Sequence, residues 1–441
     1  MAHQGSYDGG RQRLRVLLVG HICSPDLGSE PGFIWNWAWH LSDRHDVWVI
    51  AHPLCRATVE SAMAQHRDRA LRFVWVGLPK RWDPWDPARG EQAIHLHYML
   101  WQRAALAQAR RLHATQRFDV VHHVGWGTVN APPALWRLGA PFVWGPLGGG
   151  QAAPLRFGRY LGKGVLREAA RTVRRHMMPF FPPLRRAVAN SAAILATNRE
   201  TVQVLRRAGA SRVDLFLDGG VRADQFVERR RVRRPGDPLE LIWAGRLEPR
   251  KALPLALEAM ARLSDVPVRL RIAGQGPLRA AYEQWAAALG LSDKVQFLGL
   301  VPRVELLRDF FATSDAFLFT SLQDSFGSVV IEAMAAGLPV LGLDHQGFGA
   351  MIPEQAAIKI PVTDPAATIQ GLADGIRVLA ASPDLGQRMG DAARRHAASE
   401  SWSRRVDRMT EIYRHCVDPR EAGARVTAGH GIAAAPTELP V

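Results

Sequence analysis

The chain has 441 residues, 47% of them hydrophobic, with 56 Lys and Arg against 41 Asp and Glu and a net charge of +15. This length exceeds one ordinary core and predicts two domains of about two hundred residues each. No apolar run reaches the roughly eighteen residues of a membrane span, and the hydrophilic start, Met1 to Arg13, lacks the apolar core of a signal peptide, so a cytoplasmic protein is expected. Cys23, Cys55 and Cys416 are widely spaced and odd in number, which predicts neither a disulfide framework nor a zinc cluster; no metal site is expected. The charge calls for an acidic partner. With no helix-turn-helix, zinc-finger or RNA-recognition signature, that partner is expected to be an anionic membrane surface and not nucleic acid.

In chain order, Leu14 to Gly20 reads as a strand. A loop from His21 to Gly28 then leads to a helix carrying Trp35, Trp37 and Trp39, with Ser29 as its N-cap and Pro31 in its first turn. Gly20, Gly28 and Gly32 do not form G-x-G-x-x-G, which argues against a dinucleotide oxidoreductase. Strands are predicted at Val47–Ala51 and Leu71–Gly77 and a long helix around His95 to Gln116. The Pro79–Pro87 loop carries Trp82 and Trp85, which suit a sugar face, a membrane interface or plain loop anchoring.

Phe118 to Gly125 is a strand ending in His122 and His123. Side chains alternate along a strand, so one of the two faces a given cleft; His123 is favoured and His122 is assigned to the core. Pro141 to Gly150 is a strand running into three glycines, where Gly148 and Gly149 can offer backbone N–H groups to a ligand. Between Arg156 and Arg186 the arginines meet one acid, Glu168, and are mixed with Leu166, Val173, Met177, Phe180 and Phe181, the composition of an interfacial amphipathic stretch. Strands at Ala193–Thr197 and Val213–Leu217 complete the first domain.

Asp218 to Pro238 forms the boundary, with Gly219 and Gly220 as hinge material. The second domain opens with a strand at Leu239–Ala244, after which Arg246 and Lys251 flank the next helix within reach of a diphosphate. A strand from Val268 runs into the turn Gly274-Gln-Gly-Pro277, and Val295–Gly299 is a further strand. The most informative stretch is strand Asp315–Thr320, a loop to Gly327, a helix capped by Ser328 and stopped by Gly337-Leu-Pro339, and a strand to Leu343. It puts Asp324 and Glu332 at the carboxyl end of a parallel sheet, where open α/β folds bind ligands. The helix start favours a phosphate, which the acids would repel, so the acids are expected to hold hydroxyls. Phosphates in the middle with hydroxyls at both ends describe a nucleotide sugar. Helices follow around Ala366–Ala380, Leu385–His396 and Trp402–His415, and residues 418 to 441 are expected to be disordered.

An acid, seven residues and Glu332, then Ala-Met-Ala-Ala-Gly-Leu-Pro-Val, resembles the donor-site motif of the retaining family 4 glycosyltransferases with the GT-B fold; Asp324 stands where that family usually has Glu. Gly-Pro-Leu-Gly-Gly-Gly at 145–150 resembles a subset of bacterial polysaccharide glycosyltransferases. The resemblance implies an α/β GT-B fold, two Rossmann-like domains facing a central cleft. An acceptor domain would span 14–217, a linker 218–238 and a donor domain 239–400, with a helix at 401–417 crossing back. It implies a retaining transferase that moves a sugar from a nucleotide diphosphate sugar to a glycan or lipid-linked acceptor in exopolysaccharide or surface-glycan assembly, with no further cofactor.

The implied donor residues are Arg246 and Lys251 on the diphosphate, Gly274, Asp324 with Ser325, Phe326 and Gly327 around the sugar, and Glu332 on the ribose. Gly28, Ser29 and Glu30 with Gly148 and Gly149 would form acceptor or phosphate loops. His123, Asp324, Arg246 and Lys251 would carry catalysis. The alternatives are a nucleotide-sugar epimerase, an inverting transferase of the same fold, and an inactive membrane-associated subunit.

Overall fold

The computed structural model describes residues 12–418, so residues 1–11 of the hydrophilic start and 419–441 of the expected disordered tail lie outside the described residues. Two parallel sheets form the frame. The first contains β1 (Arg15–Val19), β2 (Asp46–Ala51), β3 (Leu71–Trp75), β4 (Val120–His123), β5 (Phe142–Leu147), β6 (Ala193–Ala196) and β7 (Asp214–Leu215), in the order β3-β2-β1-β4-β5-β6-β7. The second contains β8 (Leu239–Ala244), β9 (Val268–Ala273), β10 (Val295–Gly299), β11 (Ala316–Phe319), β12 (Val340–Leu343) and β13 (Ala357–Ile360), in the order β10-β9-β8-β11-β12-β13. Helices on both faces explain why the central strands, such as Ala316–Phe319 and Val340–Leu343, are apolar and buried throughout. The last strand of the first sheet is shorter than Val213–Leu217: Asp214 and Leu215 are in register with β6, and beyond them the Phe216 N–H bonds the Ala196 carbonyl at 2.8 Å.

The two lobes exchange segments. Phe157, Tyr160 and Leu161, from the first half of the chain, pack in the core of the second sheet beside Leu241 and Trp243. Conversely, the helix Trp402–Val417 lays Val406, Met409 and Tyr413 into the core formed by Val16, Leu18 and Trp37 of the first. Arg405 on that helix is fully buried, donating to Glu400 at 2.6 Å and to the Leu217 carbonyl. Its pKa is lowered to about 10 by burial, against the pull of Glu400. Among the described residues no helix is long and apolar enough to cross a membrane.

In each sheet the strand order reverses once, between β1 and β4 and between β8 and β11. Loops beyond the carboxyl ends of strands at such a reversal are where doubly wound sheets bind ligands. The loops after β5 and β6 meet the loop after β11: Gln151 Nε2 donates to Ser325 Oγ at 2.9 Å, and Asn198 Nδ2 to the Ser325 carbonyl at 3.4 Å. The carboxyl ends of the two sheets therefore face each other across one cleft.

Candidate active site

On the second lobe, Thr320 joins two loops. Its hydroxyl accepts from Trp243 Nε1 at 3.1 Å and donates to the Lys251 carbonyl at 3.0 Å, bringing the segment after β8 against the segment after β11. Lys251 Nζ consequently pairs with the Asp324 carboxylate and lies 5.8 Å over the Phe319 ring. Arg250 approaches the same carboxylate at 3.7 Å. Arg246 is placed differently: its side chain is 73% exposed and pairs with Glu248 at 2.7 Å. It lines a pocket of about 520 Å³ with Gln275, Gly276 and Arg279. The two cations expected on a diphosphate are thus one inside the cleft and one beside an open pocket.

Gly327, at φ +91°, occupies the N-cap of the helix Ser328–Ala335, and a Cβ there would stand 2.8 Å from the Phe319 ring. This corrects the expectation of a Ser328 cap: no side chain caps this helix, so its first N–H groups face the loop without a side-chain acceptor. One turn on, Glu332 accepts from Arg303 at 2.9 Å. Burial raises its carboxyl pKa while Arg303 and Arg222 pull the other way. Phe326 is 2% exposed and belongs to the core, so its ring is not a ligand surface. Gly274 has its N–H bonded to the Gly299 carbonyl at 2.7 Å, and a Cβ there would fall 1.9 Å from the Gly245 carbonyl oxygen. Its glycine is required by that backbone approach.

On the first lobe, Gly28 and not Ser29 is the N-cap of the helix Ser29–Leu41, and Ser29 itself has φ +57° with no capping bond. Glu30 accepts from the Gly127 N–H at 2.9 Å, which ties the helix to the loop after β4. Its carboxyl is pushed up to about 7, first by burial and then by Asp218. Asp218, at the start of the linker, is itself raised to about 6 by burial, with Asp324 adding to the rise and Arg405 opposing it. Asp218 thus sits within the electrostatic reach of two acids contributed by other segments, Glu30 and Asp324.

The glycine loop does not hold free donors as expected. The Gly148 N–H bonds the Gly127 carbonyl at 2.7 Å and the Gly149 N–H bonds Gln151 Oε1 at 2.7 Å. A Cβ at Gly148 would lie 2.5 Å from Ser325 Oγ, so this glycine allows the lobes to touch. Both histidines of β4 are enclosed. His122 bonds Tyr413 Oη at 2.6 Å and the Gly145 carbonyl at 2.7 Å. His123 Nε2 bonds Tyr98 Oη at 2.9 Å, while its Nδ1 is buried without a partner. Burial lowers the His123 pKa to about 3, which keeps the ring neutral.

Several residues had no local signal in the sequence. Gln346 Oε1 accepts from the Asp324 N–H at 2.7 Å, its backbone N–H donates to Glu200 Oε1 at 3.2 Å, and its Nε2 donates to the Ala152 carbonyl at 3.2 Å, so it fastens the donor loop to the first lobe. Asp218 could have been noticed as the one acid beside the Gly219-Gly220 hinge. The sequence was expected to hold no metal-ligand cluster, yet folding brings a possible ligand atom from each of His52, Asp83 and His97 within 4.8 Å of the others. Trp85, 8% exposed with Nε1 bonded to the Gly90 carbonyl at 2.8 Å, anchors its loop, whereas Trp82 is 67% exposed.

Comparison with known proteins gives the same architecture. The chain superposes on sucrose-phosphate synthase from Thermosynechococcus elongatus with a TM-score of 0.62 at 19% identity, over 91% of this chain and 99% of that one. HepE of Anabaena, solved with UDP and glucose, gives 0.56 at 15% identity, over 90% and 99%. In sequence this chain is 34% identical over 215 residues to a D-inositol 3-phosphate glycosyltransferase of Streptomyces coelicolor, covering 46% of each chain. It is 34% identical over 260 residues to one of Geodermatophilus obscurus, covering 54% of each. The matches thus span about half the length of these curated relatives. The family 4 assignment drawn from the acid-pair motif is replaced by the family model that matches. The chain has the GT-B architecture, and its residues 224–396 match the family described as glycosyl transferases group 1.

Proposed function

We propose that the chain is a glycosyltransferase that moves a glycosyl group from a nucleotide diphosphate sugar to an acceptor hydroxyl with retention at the anomeric carbon. The observation that carries this reading is the pairing of Lys251 with Asp324 beside the uncapped helix start at Gly327, at the strand-order reversal of the second sheet. As the bond from the anomeric carbon to the diphosphate breaks, negative charge builds on the diphosphate and positive charge on the sugar. Lys251 and the N–H groups after Gly327 stabilise the first, joined by Arg246 once it leaves Glu248. Asp324, released from Lys251, accepts from sugar hydroxyls, and Glu332 accepts from the ribose. The acceptor oxygen bonds the anomeric carbon, and its proton passes to the departing diphosphate oxygen. His123, enclosed at the carboxyl end of β4 with its Nε2 on Tyr98 Oη, acts by positioning that end of the strand and does not itself touch substrate.

The acceptor in this reading is a glycan or lipid-linked glycan in exopolysaccharide or surface-glycan assembly, met by a protein peripheral on the inner face of the cytoplasmic membrane. The helix Val165–Met177 supports this. Leu166, Val173 and Met177 share one helical face and are 78%, 58% and 65% exposed, and Phe180 just beyond is 76% exposed. Arg167 and Arg174 are exposed alongside, while Glu168 turns inward to the Ala153 N–H at 2.9 Å and to Arg171. An outward apolar stripe edged by arginine fits an anionic leaflet, where each positive charge contributes about 1 kcal/mol.

The test is a thermal-shift screen against UDP-, GDP-, ADP- and dTDP-sugars with and without EDTA, beginning with UDP-glucose, followed by proton NMR of the anomeric centre of the sugar product. A donor at a hundred times its Kd stabilises by about 2.7 kcal/mol. A shift with one nucleotide class and product of retained configuration is expected; no shift and no sugar release with any of them overturns the reading. Flotation with phosphatidylglycerol vesicles tests the membrane part. Wild type should float at low salt and Leu166→Glu/Val173→Glu should not, whereas a wild-type protein that stays behind removes it.

A further inference from the structure

His52 follows β2, Asp83 lies in the loop before the helix Ile94–Gln116, and His97 stands in that helix's first turn. One ligand atom from each lies within 4.8 Å of the other two. His97 is fully buried and His52 is 8% exposed, under a Trp85 ring whose centroid is 4.9 Å from His97 and 5.6 Å from His52. His97 Nδ1 meets Asp83 Oδ1 at 2.5 Å, and its Nε2 meets His21 Nε2 at 3.0 Å. The remaining His21 nitrogen, Nδ1, is buried without a partner. A sheltered cluster of three imidazoles and one carboxylate has no role in the transfer chemistry described above.

We propose that His52, Asp83 and His97 bind a late first-row divalent cation, zinc in the first instance, with His21 as the outer partner that fixes the His97 ring. Two imidazole nitrogens and a carboxylate oxygen are a donor set that zinc takes readily. Bonds of about 2.0–2.1 Å in a tetrahedron space the donors about 3.3 Å apart, so atoms already within 4.8 Å converge by side-chain rotation. The competing bond at His52, from the Leu54 N–H to Nδ1, is long at 3.3 Å.

Charge and protons balance simply. Before binding, His97 holds its proton on Nδ1 toward Asp83 and accepts from His21 Nε2–H; as the ion takes the Nδ1 position that proton is lost, the His21 Nε2 proton passes to His97 Nε2, which then donates back to His21, and His21 takes a proton on its unpartnered Nδ1, so no net proton is released. The consequence reaches the acceptor lobe. Tyr98, next in the helix, bonds His123 Nε2 at 2.9 Å and the Gly125 carbonyl at 3.2 Å, so an ion at His97 pins the shell around the end of β4.

The experiment is a Co²⁺ titration of chelator-stripped wild-type protein, read by visible d–d absorption, with zinc content by elemental analysis after dialysis against Zn²⁺. Neither reading needs a sugar donor, so the outcome is separate from that of the transferase assignment. The expected result is one ion per chain, a cobalt spectrum of a four-coordinate nitrogen and oxygen site that Zn²⁺ bleaches, and loss of both in Asp83→Ala and His97→Ala, with His176→Ala on the exposed basic helix unchanged. No cobalt spectrum in wild type, or the same spectrum in both variants, overturns the proposal. The wild-type titration decides it even where a variant does not fold.

Discussion

Gln151 Nε2 donates to Ser325 Oγ at 2.9 Å, so the end of the glycine loop of one lobe rests on the donor loop of the other. Gly148 is what lets them approach, since a Cβ there would stand 2.5 Å from the same Ser325 oxygen. Gly148→Val should hold the lobes apart and lower kcat/KM at least tenfold while the melting temperature falls by only a few degrees. Gln151→Ala removes one bond of about 1 kcal/mol and should cost about fivefold. Steady-state kinetics on both variants with the donor identified by thermal shift is the check, and a fully active Gly148→Val would show that this contact is not used in turnover.

Lys251 and Arg246 should differ in effect. Lys251 is in contact with Asp324, whereas Arg246 is exposed and paired with Glu248. Lys251→Ala should reduce transfer a hundredfold or more, in the range seen for lost transition-state charge stabilisation, and Arg246→Ala at least tenfold. Both proteins should keep wild-type circular dichroism. Near-normal turnover in Lys251→Ala removes that residue from the mechanism.

Glu30 makes stability depend on pH. Its native pKa of about 7 lies above the unfolded carboxyl value of about 4.3, so the native state holds the extra proton between them. The associated stability is complete below the unfolded value and is lost as the pH rises through about 7. Glu30→Gln should flatten that fall and gain about 2 kcal/mol on wild type at pH 8 relative to pH 5. Urea unfolding at the two pH values measures it; parallel curves for the two proteins would mean that Glu30 is not held protonated.

Arg405 should be costly to remove. Arg405→Leu leaves the Leu217 carbonyl without its donor, although Glu400 keeps Arg408. Breaking a buried ion pair from one side costs about 3 kcal/mol, so the melting temperature should drop by several degrees. A loss confined to the first lobe's unfolding step, followed by tryptophan fluorescence, would locate the effect at the Trp37–Trp402 contact, where the rings meet edge to face at 5.1 Å.

The strands and the acid pair could be read from the sequence because their signals are local: Ala316–Phe319 is apolar throughout, and Asp324 and Glu332 are fixed by the loop and helix between them. The partners of those residues were not legible. Lys251 reaches Asp324 because Thr320 clasps two loops, and nothing near Gly148 in sequence announces Ser325. Glycines misled for the same reason. Gly148, Gly149 and Gly274 look like ligand cradles, yet their N–H groups are bonded within the fold. The histidine cluster was hidden because His52, Asp83 and His97 are brought together only by the sheet and the long helix.

The return of the helix Trp402–Val417 to the first sheet has a consequence for synthesis. Val406, Met409 and Tyr413 cover the face formed by Val16, Leu18 and Trp37, so this face has no lid while the ribosome is still translating the second lobe. Val16 and Leu18 precede Tyr413 by almost the whole of both lobes and wait that long for their cover. The first lobe, although made first, is completed last, and a nascent chain stalled short of Tyr413 presents an apolar surface to whatever chaperone it meets.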